Sequence, residues 1–295
     1  MKRYLPLLLI CTAALIVRLG LLTIVDFPGV ADPNHYFNMA VRVVEGHGLT
    51  IDYIWQYNVP PDDIVHPEEH WMPLTALIAA VPMSLFGISV RAAVLPSIAA
   101  AVLLPALVYL AARQWKLSHA AALMSAAGAA FLPEFMLNSL RTDTTIFAAV
   151  FVTGALAAFH HGLKHGSAWA YGLCGVLTGL AYLTRTDGAL ILPLIPAVII
   201  VMALVRRRAD TAFRPRWSPL VVVGFVLAAA PYWVYNLNAT GMIGSPETSD
   251  MFFFTDHNDH YAYGRTFTLQ TMLEAQTFGQ ILGKRIFEFA AGIRM

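Results

Sequence analysis

Trp71-Met-Pro-Leu-Thr-Ala-Leu-Ile-Ala-Ala-Val-Pro-Met-Ser-Leu-Phe86 is apolar, sixteen residues long and interrupted by Pro73 and Pro82. It sits among seven longer apolar runs: Leu5–Val25, Arg91–Ala112, His119–Asn138, Thr144–Leu163, Ala168–Leu183, Ala189–Val205 and Pro219–Leu237. Those runs approach the ~20 residues a helix needs to cross ~30 Å of hydrocarbon. The short stretch decides the fold, because its placement sets the side on which every later loop lies.

Charge settles that placement. If residues 71–86 cross the membrane, Arg113, Lys116 and the run Arg206, Arg207, Arg208, Arg214, Arg216 fall outside. If the stretch lies along the surface, Lys2 and Arg3, Arg113 and Lys116, Lys164 and the arginine run all fall inside, as cytoplasmic loops require. The second arrangement is expected. It predicts an all-α integral membrane protein. The first transmembrane helix lies within residues 1–25, and an extracytoplasmic loop with juxtamembrane helices covers 26–90. Six further transmembrane helices fill 91–237. An extracytoplasmic segment at 238–295 is expected to continue into further C-terminal spans.

Composition agrees with a bilayer as solvent. Of 295 residues, 58% are hydrophobic and 13% charged, against roughly 25% charged in soluble domains. A net charge of +1 gives no general affinity for nucleic acid. Cys11 and Cys174 both lie in apolar runs, which excludes a disulfide framework or metal knuckle. The first run is too long for a signal-peptide core and lacks a clean cleavage site, so it reads as a retained helix.

In the outer loop, Asp32-Pro33 reads as a helix start, with the acid at the cap and proline in the first turn. Tyr36, Met39, Ala40, Val43 and Val44 then form one apolar face, and Gly46-His47-Gly48 stops the helix. Two carboxylates fall at turns on the same side, Asp32 and, within Arg141-Thr142-Asp143-Thr144, Asp143. Each alone reads as a helix cap. Together they form a pair that could activate and orient an acceptor hydroxyl. Arg18 and Glu134 lie at matched depth inside apolar runs and are expected to pair. Arg185 and Asp187 share a tight turn and are expected to neutralise each other. Asp256-His257-Asn258-Asp259-His260 lacks regular metal-ligand spacing and reads as a solvated loop.

These pieces resemble the membrane glycosyltransferases of the GT-C fold, family 39 above all, with its protein O-mannosyltransferases and aminoarabinose transferases. The resemblance rests on Asp32-Pro33-Asn34-His35-Tyr36, Ala40 and Glu45-Gly46-His47-Gly48. It continues through His66-Pro67, Trp71-Met72-Pro73-Leu74, Leu85-Phe86-Gly87 and Val90-Arg91. Gly179-Leu180-Ala181-Tyr182-Leu183-Thr184-Arg185 and Pro231-Tyr232-Trp233 with Asn236 complete it. Many members have Asp-Glu where this chain has Asp32-Pro33, some have Lys in place of His66, and Pro-Glu often stands where Thr186-Asp187 does. The resemblance implies transfer of a sugar from a polyprenyl-phosphate donor. Asp32 would be the catalytic or acceptor-orienting carboxylate and Asp143 the acid of the second turn. The expected substrate-binding residues are Tyr36, His66, Arg91, Arg141 and Arg185.

The chemistry suits the setting. The phosphate leaving group already activates the sugar, so no phosphate-binding loop is needed. A carboxylate takes the acceptor proton, and a cation stabilises the departing phosphate. For that cation Arg91, Arg141, Arg185, Arg265 and His66 are candidates, with arginine favoured for its two-donor fork. No cofactor is required by this scheme, and room remains for a divalent metal. The expected partners are the lipid-linked donor, a protein, lipid or polysaccharide acceptor, and the bilayer. The expected location is the plasma membrane, with the active site on its extracytoplasmic face. A transporter or flippase would instead use Arg18 and Glu134 as a relay, but the sequence shows neither an internal repeat nor paired broken helices.

Overall fold

A computed structural model describes residues 4–55, 61–205, 215–244, 253–255 and 257–293. Lys2, Arg3, Pro60, Asp256 and the arginines at 206–208 and 214 lie outside the described residues. The chain divides into two compact units. The first comprises Met1–Leu49 with Met72–Tyr232, the second Thr50–Trp71 with Trp233–Met295.

The first unit is helical. Its elements are α1 (Leu5–Leu22), α2 (Asp32–Val44), α3 (Leu74–Phe86), α4 (Val90–Ala93), α5 (Leu95–Gln114), α6 (His119–Phe131), α7 (Pro133–Asn138), α8 (Thr145–His165), α9 (Ala168–Thr184) and α10 (Ile191–Val205), followed by α11 (Leu220–Thr240), whose residues from Trp233 on are counted in the second unit. Among the described residues, five helices are long and apolar enough to cross a membrane: Leu5–Leu22, Val90–Gln114, Thr145–His165, Thr186–Val205 and Pro215–Thr240. Leu8, Leu9 and Ile16 of α1 stand more than half exposed. That exposure is tolerable in hydrocarbon and would be a liability in water. The chain is a multi-pass membrane protein.

The decisive short stretch becomes α3, thirteen residues long, or ~20 Å, which is less than the hydrocarbon thickness. It packs on α2, α4, α5 and α9, with Thr75, Ala76, Ala79, Ala80 and Met83 buried.

The run His119–Asn138 departs from a single span. It breaks at Leu132, whose ψ of 130° leaves the helical region before Pro133, as the proline ring requires. The break orphans the last carbonyls of α6. Arg18 satisfies one of them. Its side chain is fully buried, with Nη2 donating to the Ala130 carbonyl at 2.9 Å, Nη1 to the Ala14 carbonyl at 3.2 Å and Nε to Ser139 Oγ at 2.9 Å. The expected Arg18–Glu134 pair does not form. The Glu134 carboxylate instead accepts from Asn138 Nδ2 at 2.6 Å. Matched depth fixes height along two helices but not rotation about them, and Arg18 faces carbonyls. Buried arginines in membranes pair with backbone carbonyls as readily as with acids.

Small residues set the closest helix approach. A Cβ on Gly175 would meet the Val221 carbonyl oxygen at 2.1 Å, and one on Gly224 the Gly172 carbonyl oxygen at 2.3 Å. Helices α9 and α11 therefore touch backbone to backbone, which lipid-embedded helices achieve with glycine because hydrocarbon gives no hydrophobic drive between them.

The second unit holds a two-residue antiparallel ladder, β1 (Thr50–Ile51) against β2 (His66–Pro67), with Ile51 opposite His66. It also holds α12 (Leu269–Ala275) and α13 (Phe278–Ile293). The Glu68 carboxylate accepts from the backbone N–H groups of His70 and Trp71 at 2.7 and 2.6 Å. Phe254 and Phe267 meet edge to face.

Candidate active site

The site is built from three chain turns of the first unit. The first leads from α1 into α2. Arg91 anchors it: Nε donates to the Val25 carbonyl at 3.0 Å and Nη2 to the Thr23 carbonyl at 2.9 Å. Expected as a substrate-binding cation, Arg91 spends two of its three nitrogens on backbone. Gly29 follows at φ +121°, where a Cβ would lie 2.7 Å from the Pro33 Cβ, so only glycine fits. Ala31 is held at φ 59°, ψ −122°, an uncommon conformation for a residue with a Cβ. Such strain concentrates at functional sites.

Ala31, not Asp32, caps α2. Its carbonyl accepts from the N–H groups of Asn34 and His35 at 3.0 and 3.1 Å. Asp32 occupies the first helical position and makes no capping bond. The expectation of an acid at the cap is corrected: the positive φ moves the boundary back one residue and turns the Asp32 side chain outward. Its carboxylate is exposed and, among the described residues, has no hydrogen-bond or ion-pair partner. It stands where the partial positive charge of a helix start is complementary to an acid.

The second turn, between α7 and α8, carries Arg141, Thr142, Asp143 and Thr144. The Thr142 hydroxyl, buried, donates to the Pro33 carbonyl. The turn is thus bonded to the residue beside Asp32. Arg141 Cδ lies 3.5 Å from the position a Cβ on Gly29 would take. Asp143 Oδ1 accepts from Thr145 N–H at 2.8 Å and from Thr145 Oγ1 at 2.6 Å. The first bond satisfies one N–H of the first turn of α8, whose cap residue is Thr144 and not Asp143. Oδ2 has no partner among the described residues.

The third turn follows α9. Arg185 Nε donates to both Asp187 oxygens, at 3.1 and 3.4 Å, and Nη2 to Oδ2 at 3.3 Å; Nη1 reaches Thr144 Oγ1 at 3.5 Å. The hydrogen bond to Asp187 holds the guanidinium above its ordinary range against the opposing effect of burial, with smaller contributions from Asp187, Tyr36 and Asp143 as charges. Arg185 and Asp187 neutralise each other as expected. Arg185 nonetheless lies within electrostatic reach of both Tyr36, buried on α2, and Asp143.

The Thr142–Pro33 bond joins the start of α2 to the turn of Asp143, and Arg185 reaches Tyr36 and Asp143; Arg141 lies beside Gly29, ahead of Asp32. His66 belongs to the second unit. There its Nδ1 lies 2.9 Å from the Pro67 carbonyl, and Nε2 is buried without a partner. Thr142, Thr144 and Gly29 are the residues that sequence reasoning did not single out. Gly29 carries a weak signal, as a glycine just ahead of an Asp-Pro helix start, and the two threonines carry none beyond flanking Asp143. No group of three His, Cys, Asp or Glu able to hold a metal ion occurs among the described residues.

Residues 65–235, more than half the chain, match the family described as dolichyl-phosphate-mannose-protein mannosyltransferase. The chain belongs to this family. Two structures of ArnT from Cupriavidus metallidurans share the fold of this family member, each at 20% identity over 85% of this chain and 44% of theirs. The TM-score is 0.62 for the apo state and 0.58 for the form bound to undecaprenyl phosphate. The archaeal oligosaccharyltransferase AglB from Archaeoglobus fulgidus, in complex with an inhibitory peptide and a dolichol-phosphate, matches at 19% identity and TM-score 0.56. That match covers 81% of this chain and 34% of AglB. At such identities the likeness is one of fold, the GT-C fold of membrane glycosyltransferases. The chain spans less than half the length of these structures. No curated protein matches the sequence.

Proposed function

We propose that this chain belongs to an enzyme that transfers a sugar from a polyprenyl-phosphate-linked donor to an acceptor hydroxyl on the extracytoplasmic face of the plasma membrane. The observation that carries the proposal is the unbonded, exposed carboxylate of Asp32, held beside the Arg141–Thr144 turn by a strained loop. The acceptor oxygen attacks the anomeric carbon while its proton passes to Asp32. The bond from that carbon to the phosphate oxygen breaks, and polyprenyl phosphate leaves with the electron pair. Asp143, half satisfied by Thr145, orients the acceptor through its second oxygen. Arg185 and Arg141 face the phosphate, where a preformed cation stabilises the developing charge.

Family membership supports the sugar transfer, and undecaprenyl phosphate and dolichol-phosphate in the ArnT and AglB structures support a lipid-linked donor. The extracytoplasmic side is supported by charge. Arg113 and Lys164 lie in the last turns of α5 and α8, and Lys116 just past α5, at the helix ends remote from Asp143, as the positive-inside rule requires of the cytoplasmic end. The relay on which a transporter would depend lacks its Arg18–Glu134 pair. The test is transfer of labelled mannose from dolichyl-phosphate-mannose in membranes containing the full protein, native against Asp32→Asn. Label moved to acceptor by the native protein alone supports the proposal; none moved by either, with the donor intact, counts against it.

A further inference from the structure

The far end of α8 holds a second site. Helix α8 starts two residues after Asp143 and runs 21 residues to His165, so its ends lie ~30 Å apart. At the His165 end a cavity of about 500 Å³ opens between α5, α8 and α10, lined mainly by apolar side chains, Phe159 and Met202 among them. Lys116 and Lys164 stand on its rim. Both are exposed and neither ammonium has a partner among the described residues. Trp115 lies beside them, edge to face with His160 at 6.5 Å between centroids. Gln114 Oε1 is buried on the cavity wall with no hydrogen-bond partner.

An apolar slot with two unpaired cations, an interfacial tryptophan and a waiting acceptor has the chemistry of a phospholipid. The slot takes an acyl chain, the lysines a phosphate, Trp115 the headgroup depth, and Gln114 a headgroup hydroxyl. Basic pockets between helices on the cytoplasmic side bind anionic lipid headgroups in this way. We infer that this cavity is a binding site for an anionic glycerophospholipid of the cytoplasmic leaflet, separate from the site at Asp32. The occupant is anionic because a zwitterionic headgroup would offset neither lysine charge, whereas an anionic one lowers the local charge. It is a lipid because the slot is apolar and lies between three helices, α5, α8 and α10, long and apolar enough to cross a membrane.

The test uses the whole protein in phosphatidylcholine nanodiscs carrying doxyl-labelled phosphatidylglycerol or, at equal mole fraction, doxyl-labelled phosphatidylcholine. The quenching of Trp115 is read as the difference between the native protein and Trp115→Phe. Phosphatidylglycerol is expected to occupy the site with roughly 30-fold preference, from two lysines near the surface at about 1 kcal/mol each. Lys116→Gln with Lys164→Gln, both exposed and verified as folded by circular dichroism, should abolish the preference. Equal quenching by the two lipids in the native protein overturns the inference, as does a preference that survives the double substitution. Quenching by neither lipid shows that protein fills the slot and overturns it too.

Discussion

The Thr142 hydroxyl donates a hydrogen bond to the carbonyl of Pro33, joining positions 109 residues apart. It is a direct bond between the turn that carries Asp143 and the helix start that carries Asp32. Thr142→Val keeps the shape but leaves the Pro33 carbonyl without that donor, which costs about 1–3 kcal/mol for a buried group. If the bond also sets the spacing of the two acids, kcat falls while donor KM changes little, and Thr142→Ser restores kcat. Loss of stability with native kcat in the folded fraction would make the bond structural only.

Arg18→Met should destabilise the bundle. The substitution preserves apolar volume but leaves the Ala130 carbonyl and Ser139 without their donor. Each orphaned buried group costs about 1–3 kcal/mol. A lowered midpoint in thermal unfolding is expected, whereas Glu134→Gln should leave it nearly unchanged, since Glu134 does not pair with Arg18. Equal losses from the two substitutions would restore the ion pair.

Gly175→Ala tests the α9–α11 contact. The added methyl would meet the Val221 carbonyl oxygen at 2.1 Å, so the helices must separate, at about 1–3 kcal/mol. Gly172→Ala, where a Cβ meets nothing within 4 Å, is its control. Thermal stability should fall for the first and hold for the second.

Arg185→Lys removes the planar fork while keeping a charge. Its pair with Asp187 is half exposed on both sides, so stability should change by less than about 1 kcal/mol. If Arg185 faces the leaving phosphate, kcat/KM falls about 10²-fold. A guanidinium stays protonated throughout the working pH range, so no limb of the pH profile below about pH 10 should disappear in this variant. A lost limb would mean that Arg185 influences a titrating partner.

The helical bundle is legible in the sequence because apolar runs of bilayer length have few alternative folds. Helix α3 is legible as a short apolar run, and its expected lie along the surface is argued from the charge of distant loops. The start of α2 is misplaced by one residue, since Asp32-Pro33 suits either the cap or the first turn and only the positive φ of Ala31 decides. The break at Leu132 had its signal in Pro133, yet proline is tolerated within membrane helices, and sequence alone does not distinguish the two. The turns at Asp143 and Arg185 are visible as polar islands between apolar runs. Their convergence on α2, through Thr142 and Thr144, depends on tertiary contacts with no local signature.

The central claim is that Asp32 takes the acceptor proton, and Asp32→Asn tests it most directly. Asp32 makes no capping bond, so neither Asp32→Asn nor Asp32→Ala should lower stability by more than the ~0.3–1 kcal/mol of a first-turn charge. The measurement is the rate of sugar transfer from a saturating polyprenyl-phosphate donor in membranes, with donor binding followed in parallel. The account predicts a 10²–10⁴-fold loss of rate for Asp32→Asn, with donor still bound and the protein still folded. Transfer by Asp32→Asn at the native rate would contradict it.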